Sequence, residues 1–129
     1  MIYVDTNVFI YAVGRRHPLR DPSRNFLADS MRKQVRLAIS AEVLQELMHV
    51  YLPVGRIETL DAAIALVKSC IHTVWPLEEE DVVQARSLLD VYPELGARDL
   101  LHLASCQRRN VAELKTYDRT LEAVSRKAL

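Results

Sequence analysis

Apolar residues along the chain fall into short β-favouring runs and helical stripes, and the two alternate. Ile2-Tyr3-Val4 is such a run. It stops at Asp5-Thr6-Asn7, after which Val8, Phe9, Ile10 and Tyr11 read as the opening of a helix. The stretch from His17 to Pro22 reads as a loop, and Pro22 to Gln34 as a helix with Phe26, Leu27 and Met31 inward. A second strand is predicted from Arg36 to Ile39. Ser40 then stands at an N-cap position before a helix over 41–52, whose apolar positions 43, 44, 47, 48 and 51 share one face; Pro53 and Gly55 end it. Ile57 to Cys70 is amphipathic, Ile71 to Trp75 is a third strand closed by Pro76, and Glu78 to Val91 is a helix with an acidic first turn. The periodicity then predicts a helix from Ala97 to Arg109, a last strand from Glu113 to Tyr117, and a final helix from Asp118 to Ser125.

Strands alternating with helices imply a mainly parallel sheet with helices on both faces, and such folds form their ligand sites at the carboxyl ends of the strands. The length of 129 residues suits one domain spanning 1–129. Composition sharpens this picture: 50% hydrophobic and 26% charged residues describe an ordinary soluble globular chain, not a disordered or membrane one. No apolar run approaches the roughly 18–20 residues that cross a bilayer, and the apolar start is interrupted at Asp5, so neither a membrane span nor a signal peptide is expected. Cys70 and Cys106, both in apolar helical stretches, read as reduced core thiols and place the expected location in the cytoplasm.

Seventeen basic and seventeen acidic side chains cancel, which excludes a general pull on polyanions and makes any nucleic-acid contact local. Arg15, Arg16, Arg20 and Arg24 form one basic cluster and Arg108 and Arg109 another; each reads either as a phosphate contact or as solvated surface.

Position, not abundance, singles out four carboxylates. Asp5 ends the first strand and Asp118 follows the last, so both project from the rim where the site of such a sheet lies. At about 100° per residue, Glu42 points roughly 170° from the apolar stripe of its helix and is expected in water, whereas Glu46 lies roughly 130° away, beside Val43 and Val50. Asp99 flanks the stripe of Leu100, Leu103 and Ala104 at about 90°, in the first turn of its helix. Each acid also has a plainer reading: Asp118 as an N-cap, Asp99 as a complement to the helix dipole, Glu46 as a surface carboxylate. If they converge, carboxylates about 5 Å apart repel by roughly 3 kcal/mol per pair at an effective dielectric near 20. Either some are protonated, with raised pKa values, or a divalent cation neutralises them. An all-oxygen set suits Mg²⁺ or Mn²⁺, which activates water and offsets charge developing on a phosphodiester.

Taken together, these residues resemble the PIN-domain family, in particular the VapC-type toxins of toxin–antitoxin pairs. Tyr3-Val4-Asp5-Thr6-Asn7-Val8 resembles the first motif of that family, Ile39-Ser40 with Glu46-Leu47 the second, Arg98-Asp99-Leu100-Leu101-His102-Leu103-Ala104 the third, and Thr116-Tyr117-Asp118 the fourth. The fourth motif carries Tyr117 where many relatives have Phe, and the segment between Glu46 and Asp99 matches no signature. The resemblance implies a PIN-like three-layer α/β sandwich with a short, mainly parallel central sheet flanked by helices. It further implies an acidic pocket that holds Mg²⁺ or Mn²⁺ and cuts RNA, tRNA or rRNA among the targets, leaving 5′-phosphate and 3′-hydroxyl ends. Asp5 and Asp99 are then the direct metal ligands, Glu46 and Asp118 complete the site, Thr6 or Asn7 orients Asp5, and Thr116 supports Asp118. A cognate antitoxin and a homodimer are the implied protein partners.

Other residues carry weaker signals. His49 is one turn from Glu46 and His102 one turn from Asp99, but both read as ordinary, partly exposed histidines. Trp75 before Pro76 reads as core in preference to a base-stacking platform. The helices at 57–70 and 78–91 hold more apolar residues than one core face needs, which fits either a partner surface or plain burial. Two rival functions remain: a haloacid dehalogenase-type phosphatase, which would want Asp where Asn7 stands, and a non-catalytic binding module, which would gain by losing the acids that repel polyanions.

Overall fold

The computed structural model describes residues 1–129. The chain runs β1 (Ile2–Val4), α1 (Thr6–Val13), α2 (Arg20–Arg32), β2 (Leu37–Ser40), α3 (Ala41–Tyr51) and a 3-10 turn (Leu52–Val54). It continues through α4 (Ile57–Cys70), β3 (Thr73–Trp75), α5 (Glu79–Val91), α6 (Ala97–Arg108), β4 (Glu113–Lys115) and α7 (Arg119–Ala128). The strands form one parallel sheet in the order β3-β2-β1-β4. Tyr3 pairs with Ala38 on one side and Leu114 on the other, so β1 is central.

Burial explains why such short strands hold. Tyr3, Val4, Leu37, Ala38 and Ile39 are fully buried, as interior strands of a parallel sheet covered by helices must be. The larger core packs Val8 and Phe9 of α1, Val43 and Leu47 of α3, and Ala63 and Val67 of α4 against those strands. A smaller core joins Leu88 of α5, Leu100 and Leu103 of α6, and Leu121 and Val124 of α7. Cys70 and Cys106 are buried, free thiols. No helix is long and apolar enough to cross a membrane.

The predicted order of strands and helices is present, with local differences. Helix α2 begins at Arg20, before Pro22, because proline in a first turn removes an N–H that has no helical partner anyway. Ser40 occupies the N-cap position of α3 but makes no side-chain cap bond; its hydroxyl meets Tyr3 Oη at 2.8 Å. The surplus apolar residues are only partly covered. Val82, Val83 and Val91 of α5 are exposed, and an apolar groove of about 690 Å³ runs between α1, α2 and α4, lined by Val13, Leu27, Met31, Ala62 and Leu66.

Two loops of minimal length fix where the chemistry lies. One residue, Asp5, separates β1 from α1, and α3 follows β2 without a gap. The carboxyl ends of the two central strands therefore open directly onto helix N-termini, where negative charge is favoured.

Candidate active site

Asp5 is built into the junction between β1 and β4. Its backbone N–H donates to Lys115 O at 2.9 Å, the Thr6 N–H donates to its Oδ1 at 2.7 Å, and the Thr116 hydroxyl donates to its Oδ2 at 2.7 Å. Thr116 Oγ1 in turn accepts from the Asp118 N–H at 3.0 Å and from Asn7 Nδ2 at 3.2 Å. One hydroxyl thus uses its donor and both lone pairs to tie the first acidic segment to the last. Asn7 reaches Asp5 only through Thr116, while the backbone of Thr6 holds it directly.

His102 stands at the centre. It is fully buried, with Nε2 2.6 Å from Glu46 Oε1 and 3.5 Å from Asp5 Oδ1, and Nδ1 2.6 Å from Tyr3 Oη. This corrects the expectation of an ordinary, partly exposed histidine: its partners come from β1 and α3, and the pattern of α6 alone does not reveal them. His49, one turn from Glu46, is exposed. Ligating atoms of Asp5, Glu46 and His102 all lie within 4.8 Å of one another. Asp99 and Asp118 are not members of that tight group, although Asp99 feels the charges of Asp5, Asp118 and Glu46.

Glu42, expected in water, is only 8% exposed, with Arg98 Nε 3.8 Å from its Oε1. The helical-wheel reading fails there because α3 has neighbours on two sides: the flank turned away from the apolar core meets α6. Asp118 is exposed and caps α7, accepting from Leu121 N at 2.9 Å. Arg108 and Arg109 are not free for phosphate, since both bind Asp81 and Glu78. Trp75 is half-buried between the Tyr3 ring at 6.4 Å and the Arg109 guanidinium at 5.3 Å.

The electrostatics are those of crowded acids. Burial pushes the Asp5 carboxyl above the usual range despite His102 and Thr116. Asp99 is pushed up to about 6, first by burial and then by the charge of Asp5, with Asp118 and Glu46 adding to it. Burial and neighbouring Glu46 also raise Glu42. Burial opposes the charge on Glu46 too, but the His102 hydrogen bond and charge, with Thr6 and Arg98, together outweigh it and the net shift is downward. For His102 burial works against the imidazolium, and the Glu46 bond and the charge of Asp5 reverse that, so it lies above the usual histidine value.

The donor set fits a hard divalent cation. Its carboxylates are crowded, Asp5 and Asp99 both being raised, and the Thr6 hydroxyl, 2% exposed, lies against Glu46 and favours its charged form.

The PIN-domain family model matches residues 2–127. The chain belongs to the PIN-domain family. It is 57% identical over 126 residues to Ribonuclease VapC23 of Mycobacterium tuberculosis, covering 98% of this chain and 99% of that one. It is 35% identical over 123 residues to Ribonuclease VapC13 of the same organism, covering 95% and 94%. Among solved structures, VapC20 of M. tuberculosis, described as a Sarcin-Ricin loop cleaving toxin, superimposes with a TM-score of 0.81 at 18% identity over 96% of this PIN domain and 95% of that chain. VapBC2 from Rickettsia felis, solved bound to a DNA fragment from its promoter, gives a TM-score of 0.70 at 24% identity over 92% and 88%. Those two structures establish the shared three-layer fold.

Proposed function

We propose that this PIN domain is a divalent-cation-dependent endoribonuclease and the toxin half of a toxin–antitoxin pair. One observation carries the reading: ligating atoms of Asp5 and Glu46 lie with His102 within 4.8 Å of one another, and the charges of Asp5 and Glu46 help to raise Asp99 beside them. The ribonuclease names of the relatives over nearly the whole chain support it.

Asp5 and Asp99 would be the direct ligands of Mg²⁺ or Mn²⁺, with Glu46 and Asp118 completing the site. When bound, such an ion activates water and offsets charge on the phosphodiester. The chain supplies the rest. Thr116 and the Thr6 N–H fix both Asp5 oxygens, and His102 holds Glu46. No serine or cysteine nucleophile is needed: Cys106 is buried, and burial drives its thiol well above the usual range.

The antitoxin would cover the apolar groove between α1, α2 and α4, and the exposed valines of α5 would serve self-association. Site of action would be the cytoplasm.

Purified protein should cleave single-stranded RNA or tRNA only with Mg²⁺ or Mn²⁺, and Asp5→Ala or Asp99→Ala should remove the activity while leaving the circular dichroism spectrum intact. Undiminished cleavage in EDTA, or by either variant, overturns the reading. Induced expression should arrest growth, and Asp5→Ala should relieve the arrest; arrest by both proteins would instead favour a binding module.

A further inference from the structure

The Ser40 hydroxyl is 1% exposed, and its one hydrogen-bond partner is Tyr3 Oη at 2.8 Å; the Ser40 backbone N–H also donates to that oxygen, at 3.3 Å. A phenol oxygen offers two lone pairs and one hydrogen. If the Ser40 O–H and N–H fill the lone pairs, the Tyr3 hydrogen has one acceptor left, His102 Nδ1 at 2.6 Å. A ring whose Nδ1 accepts carries its hydrogen on Nε2, which points at Glu46 Oε1 at 2.6 Å with Asp5 Oδ1 at 3.5 Å. Reversing the chain would leave the buried Ser40 hydroxyl hydrogen with no acceptor, and buried polar groups are nearly always paired. One arrangement therefore satisfies every donor and acceptor from β2 through β1 and α6 to α3.

We propose that His102 is a positioning residue and not a cation ligand: once a cation is bound, Ser40 and Tyr3 lock the Nε2–H form, which orients Glu46 and leaves carboxylate oxygens alone to face the ion. This rests on the cation-dependent reading of the site. The acids around the ring favour the imidazolium, and the bound cation offsets them. The hydrogen on Nε2 occupies the electron pair a metal would need. A site of oxygens only selects Mg²⁺ or Mn²⁺ against Zn²⁺, which prefers nitrogen and sulfur. Carboxylate ligands held by such outer hydrogen bonds typically lose affinity 10- to 100-fold when the bond is removed. The geometry also accounts for the spacing of the sequence. Tyr3 lies two residues before Asp5 on the same strand face, and His102 lies one helical turn after Asp99, so one ring reaches both acidic elements.

Protein with ¹⁵N-labelled histidine, saturated with Mg²⁺, provides the test. His102 should show a pyridine-type Nδ1 and a proton-bearing Nε2. Tyr3→Phe keeps the ring against Trp75 but removes the donor; it should abolish that single tautomer and weaken Mn²⁺ binding about 10- to 100-fold by calorimetry. A proton displaced from Nε2 by the ion, a proton on Nδ1 in the Mg²⁺ state, or unchanged Mn²⁺ affinity in folded Tyr3→Phe overturns the proposal. If Tyr3→Phe does not fold, the wild-type spectrum alone decides. Wild-type protein that binds no Mn²⁺ overturns both this inference and the reading beneath it; binding through His102 overturns this inference alone.

Discussion

Asp81 and Asp99 are each the third residue of a helix, α5 and α6, yet their carboxyls end on opposite sides of the ordinary range, at about 2 and about 6. Asp81 is fully buried, and burial opposes its charge, but Arg109 Nη1 at 2.7 Å, the Glu78 N–H at 2.9 Å and Arg108 Nη1 at 2.6 Å outweigh that cost. Asp99 is crowded by Asp5, Asp118 and Glu46 and is helped by His102. The first acid is neutralised by its own chain and closes a helix pair. The second is crowded by other acids, with His102 alone among its neighbours easing the charge. Both aspartates profit from the helix dipole alike, so the dipole cannot be what sets their carboxyls apart.

The sharpest way to break this contrast is to neutralise each acid in turn. Asp81→Asn leaves two arginines facing an amide and should cost about 3 kcal/mol, the low end for breaking a buried ion pair because the arginines reach the surface. Asp99→Asn should cost nothing or add stability in EDTA, since it relieves repulsion. Urea unfolding of the two variants measures both values, and equal losses would erase the distinction.

A cation is the next probe. Mg²⁺ at a hundred times its dissociation constant should stabilise wild-type protein by about 2.7 kcal/mol, and Asp5→Asn by much less. Asp81→Asn should keep the full increment. Thermal melts with and without Mg²⁺ separate these outcomes, and an increment unaffected by Asp5→Asn would place the ion elsewhere.

Acid titration gives the two aspartates opposite signs. The folded pKa of Asp81 lies below its ordinary value of 3.8, so its contribution is fully present above about pH 4 and is lost as pH falls towards 2. The folded pKa of Asp99 lies above that value, so ionising it costs stability above about pH 6, and the cost disappears as pH falls towards 4. In EDTA, acidification from about pH 7 to pH 4 should therefore favour wild-type protein over Asp99→Asn by about 2 kcal/mol, as denaturant midpoints across that range would show. A flat difference would mean that Asp99 titrates normally.

The same contrast explains what the sequence could and could not reveal. The strand–helix order and the position of Asp5 were legible because an apolar run that stops at an acid is a local pattern. Helical angle set Glu46 and Asp99 beside the apolar stripes of their helices, and both are half-buried, Glu46 within reach of Asp5. It failed for Glu42, because α3 is covered on a second side. His102 was misjudged because its burial depends on Tyr3 and Glu46, 99 and 56 residues away in the chain. Arg108 and Arg109 looked like phosphate contacts or free surface because their partners, Glu78 and Asp81, lie 30 and 27 residues from Arg108. Residues held by their own segment can be read from it, whereas a buried charge is defined by what the fold brings to it.

Asp118 tests the boundary between the two kinds of acid, and its expected stability effect is the smallest. It is exposed, accepts from Leu121 N at 2.9 Å as the cap of α7, and also adds to the negative charge felt by Asp99. Asparagine caps a helix about as well as aspartate, whereas alanine costs about 1 kcal/mol. Asp118→Asn should therefore leave stability within a few tenths of a kcal/mol, and Asp118→Ala should lose about 1 kcal/mol. If the charge serves the cation, both variants should weaken Mn²⁺ binding equally by calorimetry although only one loses the cap. Should Asp118→Asn bind Mn²⁺ like wild type, Asp118 sides with Asp81 as a structural acid, and the proposed set contracts to Asp5, Glu46 and Asp99.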